Sequence, residues 1–347
     1  MLNLIQHLPK QEIAGQARND AEFEINLMRI ELKSIIKPSF AQIILYVFLG
    51  LVIWAVSYVG SFYTRDITFD ELLAQLFGAE LLLKNAIGIG LTAVNAGLLF
   101  VLVNRFSFVN IRTFFPTFVF ALLIAVWQPS HETFKSHIAL FLFICALFCF
   151  FNMSEKEASE KTFLGSLLIA CAGLFLNNLL LIIPVCWLGF IVLRCFSFRV
   201  FLASLLGVIA PLLIYSVVIY AVSPTFDFQS LFNFDFSLNF GIKELQLPTQ
   251  LYIGLLFVVF IISILGTYAD FYTQNNSIRR NINFILILLV SFVIILNFEK
   301  TLFPFIALCF SIFASHIFST KKNNFYPILF RVFIFINLAF VVYNFLY

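Results

Sequence analysis

Long uninterrupted apolar runs follow one another along this chain, and almost every charge falls in the short connections between them. That alternation constrains the fold more than any motif does. A bilayer core about 30 Å thick is crossed by a helix of about 20 apolar residues, and lipid leaves no backbone group unpaired. Hydrophobic residues make up 62% of the chain and charged residues only 11%, against about 25% charged in a soluble domain. Lipid is therefore the main solvent. The runs are continuous rather than alternating, which predicts helices and not barrel strands.

The sequence predicts an all-α, polytopic transmembrane helix bundle of about 11 spans. These are Ser39–Phe62, Asn85–Val103, Thr113–Trp127, His137–Phe151, Phe163–Phe175, Leu179–Leu193, Val200–Val222, Leu251–Phe271, Ile282–Phe298, Leu302–Phe318 and Pro327–Leu346. With the amino terminus in the cytoplasm, the inner connections hold Arg29, Lys33, Lys37, Arg105, Arg112, Lys156, Lys161, Arg194, Arg199, Arg279, Arg280, Lys321, Lys322 and Arg331. The outer ones hold Arg65, Lys84, Lys135, Lys243 and Lys300. That fourteen-to-five split follows the positive-inside rule, and places the protein in a bacterial inner membrane with its carboxy terminus outside. The hinge of this topology is Asn177-Asn178. Either the two amides turn a hairpin at the outer surface, or Phe163–Leu193 is one long kinked helix; the hairpin keeps the charge asymmetry and is preferred.

Two domains are expected: a cytoplasmic amino-terminal segment, 1–37, and a transmembrane helical domain, 38–347. Residues 1–27 are polar and carry no signal-peptide core. Their Glu12-Ile13-Ala14-Gly15-Gln16-Ala17-Arg18-Asn19-Asp20 run resembles an intergenic repeat translated in frame, which points to Met28 as the true start; a cytoplasmic docking arm is the alternative. The net charge of +3 is small and clusters on no face, so nucleic acid is not an expected partner. No phosphate loop or dinucleotide fingerprint is present, so neither is a nucleotide. The six cysteines lie in or beside apolar runs and read as small packing residues.

Within the spans, Gly88, Gly90, Asn95 and Gly97 give the second run its small face and predict a centrally buried helix. Pro116, Pro184, Pro211 and Pro304 fall in or near span ends, where each removes a backbone donor. Arg105-Phe106-Ser107-Phe108 and Arg194-Cys195-Phe196-Ser197-Phe198-Arg199 echo each other faintly. Ionisable groups are nearly absent: Asp270, Arg331 and His316 all lie near span ends, which argues against a proton relay or an ion-coupled pump.

Acidic residues gather instead in the connection after the first span. Asp66 and Asp70 are the candidate catalytic bases, and Arg65, Glu71, His131 and Glu132 the candidate substrate-binding residues. A carboxylate there suits a general base or a divalent cation held against a phosphate, although charges belong in connections in any case. Thr68 and Glu71 also fit a helix-capping box.

The topology and the acidic first outer loop together resemble the GT-C membrane glycosyltransferases. The resemblance implies a polyprenyl-phosphate-linked sugar donor and Asp66 or Asp70 as base; the loop is short for that fold and lacks an adjacent acidic pair after the span. A second resemblance covers Lys161 to Tyr215, chiefly Asn178-Leu179-Leu180-Leu181-Ile182-Ile183-Pro184 and Phe196-Ser197-Phe198-Arg199. It is to an uncharacterised family of Phe- and Ile-rich polytopic proteins of Gram-negative bacteria, and implies no activity. Three function classes stay open: a glycosyltransferase on a lipid-linked sugar, a lipid or polysaccharide export component, and an envelope-assembly scaffold. All three have membrane lipids as partners.

Overall fold

The computed structural model describes residues 79–109, 113–127, 134–153, 157–222, 247–269, 274–296, 300–320 and 325–346. Among them the chain is all-helical. Ten α-helices follow in order: α1 (Ala79–Arg105), α2 (Phe115–Val126), α3 (Phe134–Phe151), α4 (Ala158–Gly173), α5 (Ile182–Val192), α6 (Phe198–Val222), α7 (Leu247–Ala269), α8 (Asn276–Leu296), α9 (Phe303–Thr320) and α10 (Phe325–Leu346). Short 3-10 turns at Asn177–Leu181 and Lys300–Leu302 lead into α5 and α9. Each described helix falls on one of the apolar runs; the first run, Ser39–Phe62, lies outside the described residues.

Four helices are long and apolar enough to cross a membrane, namely Ile87–Arg105 of α1, Phe198–Ala221 of α6, Leu247–Ala269 of α7 and Asn276–Leu296 of α8. This is a membrane protein. The apolar parts of α2, α3, α5, α9 and α10 are shorter; the 12 residues of α2 rise only about 18 Å.

The break at Asn177 is a hairpin. The Ser204 hydroxyl of α6 lies 2.9 Å from the Ser166 hydroxyl of α4 and accepts the Trp187 indole N–H of α5 at 3.1 Å. One continuous helix would carry Ser166 and Trp187 about 31 Å apart, so the chain must reverse between them. At the tip Asn177 is exposed, as expected, but Asn178 is buried.

Small residues bring α4 and α6 together. A Cβ added to Gly207 would lie 2.5 Å from the Phe163 carbonyl oxygen and 3.1 Å from the Ser166 Cβ. Pro211, inside α6 rather than near its end, has no N–H for the Gly207 carbonyl one turn back. The small-faced helix packed between neighbours is thus α4, whose Gly165, Ser166, Ala170, Ala172 and Gly173 are buried between α3 and α6. For α1 the expectation holds in part, since Gly88 and Asn95 are buried. Gly90 and Gly97 are exposed with nothing within 4 Å of an added Cβ, while Thr92, Asn95 and Ala96 turn inward.

Phenylalanine fills the centre. Phe143, Phe292 and Phe305 meet at centroid distances of 5.1 to 5.4 Å across α3, α8 and α9. Phe150 of α3 likewise meets Phe190 of α5 at 5.0 Å and Phe284 of α8 at 6.1 Å. Apolar side chains gain little from leaving lipid, so this packing stabilises through dispersion and ring geometry rather than the hydrophobic effect. Edge-to-face pairs add about 0.5–1.5 kcal/mol each.

Candidate anion-binding cavity

The predicted outer-loop residues Arg65, Asp66, Asp70, Glu71, His131 and Glu132 lie outside the described residues, as does the divalent cation they suggested. What the structure brings together is at the other end of the helices.

Three polar tethers come first. Asn95 of α1 donates to the His137 carbonyl of α3 at 2.9 Å, with Thr92 Oγ1 3.5 Å from His137 Nδ1. Tyr252 of α7 donates to Asn337 of α10 at 3.1 Å and stacks on Phe340. Gln274 Nε2 lies 2.7 Å from His316 Nε2 of α9. Each joins two elements through amides, hydroxyls or imidazoles in an apolar surrounding. They hold helices in register, and none pairs an acid with a base.

The basic connections behave differently. The ends of α1, α3 and α5 meet the start of α8. Arg105 Nη2 reaches Asn152 Oδ1 at 3.4 Å, and Arg280 Nη1 donates to the Leu193 carbonyl at 3.2 Å. Between these ends lies a cavity of about 380 Å³. It is lined by Arg194, Cys195, Ser277, Arg280 and Asn281 together with Phe150, Phe151, Met153 and Leu193, and most of the surface it exposes is polar. Among the described residues no carboxylate lines it.

Local structure explains how Arg194 arrives there. Helix α5 ends in a paired closure: Cys195 N–H donates to Phe190 and Arg194 N–H to Ile191, both at 3.0 Å. That motif wants a left-handed residue after the helix, usually glycine. Here it is Arg194, with φ of 61°. The end of α1 closes similarly, with Phe108 N–H on the Val103 carbonyl and Ser107 at φ 53°. The same closure recurs in both segments, but its left-handed position is Ser107, beyond Arg105, in the first and Arg194 itself in the second, so it does not follow the register of the sequence echo.

Arg280, by contrast, stands on the first turns of α8, and its bond to the Leu193 carbonyl caps an orphan acceptor of α5. Ser277 and Asn281 flank it. The first turn of α8 adds its own N–H groups and the positive end of the helix dipole. Two guanidiniums, a hydroxyl, an amide and a helix start favour an anion. Among the described residues no three His, Cys, Asp or Glu side chains gather to hold a metal ion, and no disulfide joins any of the six cysteines.

Compared with known protein families, with curated proteins and with solved structures, the chain matches none.

Sequence reading named Arg194 and Arg280 only as orientation signals. They are 86 positions apart, and no spacing pattern joins them. The one usable hint was the placement of Arg194 between an apolar run and Cys195-Phe196.

Proposed function

We propose that this is a multi-pass protein of the bacterial inner membrane, amino terminus in the cytoplasm, whose basic end binds an anion at the cytoplasmic face. The observation that carries it is the pair of arginines lining a cavity of about 380 Å³, where no acidic residue lines it among the described residues. That volume falls within the usual 300–1,000 Å³ of small-ligand sites. Guanidinium groups suit phosphate oxygens because their planar fork offers two parallel donors.

The test is the unfolding midpoint of the purified protein in neutral detergent as phosphate replaces chloride at fixed ionic strength. The midpoint should rise for the native protein and stay flat for Arg194→Ala and Arg280→Ala. A rise of equal size in all three sinks the reading.

The acidic first outer loop favours a second reading, a glycosyltransferase using a polyprenyl-phosphate-linked sugar at the opposite face. Asp66→Asn and Asp70→Asn would then keep normal membrane abundance and lose function, since a general base contributes about 10²–10⁴ in rate. Full complementation of a deletion strain by both variants removes the transferase and leaves the assembly scaffold.

A further inference from the structure

Resting on the anion reading, the mixed lining of the Arg194–Arg280 cavity goes further. We infer that its ligand is a phosphate-bearing lipid, the phosphate held by Arg194, Ser277 and Arg280 and the first part of the tail lying on Phe151, Met153 and Leu193.

Three observations converge. First, the cavity is amphipathic. Phe151 and Met153, both only partly buried, line the same cavity of about 380 Å³ as Arg194 and Arg280. A phosphate alone fills only part of that space and leaves those two side chains uncovered. An amphiphile covers them as well. Second, an exposed segment of rings and basic side chains borders the cavity. Beside it, Phe196 is 46% and Phe198 74% exposed, within a segment that also exposes Arg194 and Arg199. Aromatic rings and basic side chains alternating on an exposed segment mark the boundary between headgroups and acyl chains. A ligand entering there comes most directly from the bilayer.

Third, Arg194 stands in a conformation that glycine adopts at no steric cost and other residues at about 1–2 kcal/mol. A cation at a helix C-terminus offsets part of that cost through the helix dipole, and the same backbone position sets the arginine on the cavity lining. Arg280 then does two things: it ties the end of α5 to α8 through the Leu193 carbonyl, and it offers its remaining donors to the phosphate. The ligand would thus clamp the α5 and α8 ends together.

The experiment is native mass spectrometry of the full chain released from neutral detergent with an equimolar mixture of phosphatidic acid, phosphatidylcholine and diacylglycerol. Inorganic phosphate and glycerol 3-phosphate are measured in parallel by the unfolding midpoint. The expected result is retention of phosphatidic acid over both other lipids, with affinity at least about tenfold lower in Arg194→Ala, the loss expected for one charge-assisted contact. Met153→Gln should weaken phosphatidic acid and leave the response to inorganic phosphate unchanged. Arg194→Gly serves as the folding control, because glycine suits that backbone. If inorganic phosphate stabilises the protein but phosphatidic acid binds no better than diacylglycerol, the lipid proposal falls and the anion site stands. If neither phosphate nor phosphatidic acid distinguishes native protein from Arg194→Gly, both fall.

Discussion

Ser166 of α4 and Ser204 of α6 meet through a 2.9 Å hydrogen bond, and the same Ser204 hydroxyl takes the indole N–H of Trp187 from α5. Three helices are tied at one oxygen, and the chain reversal at Asn177 is what brings the third of them back. Hydrogen bonds between membrane helices contribute about 0.6 kcal/mol on average and up to about 1.7. Ser204→Ala should therefore lower unfolding free energy by about 1–2 kcal/mol, because it strands the indole as well. Ser166→Ala should cost less than half of that. Equal losses in a detergent unfolding titration would contradict the shared role of Ser204.

The approach of α6 to α4 depends on Gly207. An added methyl meets the Phe163 backbone carbonyl at 2.5 Å, and backbone cannot swing aside as a side chain can. Gly207→Ala should destabilise by about 1–3 kcal/mol, the usual range for overpacking. Gly254→Ala on α7, where nothing lies within 4 Å, should instead stabilise by about 0.5–1 kcal/mol through helix propensity. Thermal unfolding of both variants side by side reads the contrast.

At the end of α5 the prediction has two opposite signs. Arg194→Gly relieves the left-handed backbone and should raise stability by about 1 kcal/mol, while removing a guanidinium from the cavity and lowering phosphate affinity. A variant both less stable and normal in binding would show that Arg194 serves the fold and not a ligand.

Topology is tested by reporter fusions. Fusions after Phe106, Lys156, Arg279 and Lys322 should read cytoplasmic, and those after Thr68 and Lys243 external. A cytoplasmic reading at Lys243 would reverse the second half of the chain, and would mean that the α4–α5 hairpin does not carry the chain across and back.

The helices were legible in the sequence because lipid demands long runs, and every described helix lies on one. Asn177 and Asn178 marked the reversal, because amides are costly at membrane depth, although only Asn177 is exposed there and Asn178 is buried. The partners of Ser166 and Ser204 were not legible: a serine in an apolar run looks the same whether it bonds its own helix or another. Gly90 and Gly97 misled for a related reason. A small face shows that close approach is permitted, and Gly207 shows that a single glycine suffices where a neighbour uses it. The cavity was least visible of all, because Arg194, Arg280 and Met153 come from three separate connections and carry an ordinary positive-inside signature.

The most direct test of the central claim uses a reporter the protein already carries, Cys195, which lines the cavity beside Arg194. Its labelling by a charged, membrane-impermeant maleimide is measured in inverted and right-side-out vesicles, with and without phosphatidic acid, and with Cys195→Ser as the blank. The account predicts labelling of the native protein only in inverted vesicles, slowed when phosphatidic acid is present. Labelling from the outer face, or a rate in inverted vesicles indifferent to phosphatidic acid, would contradict it.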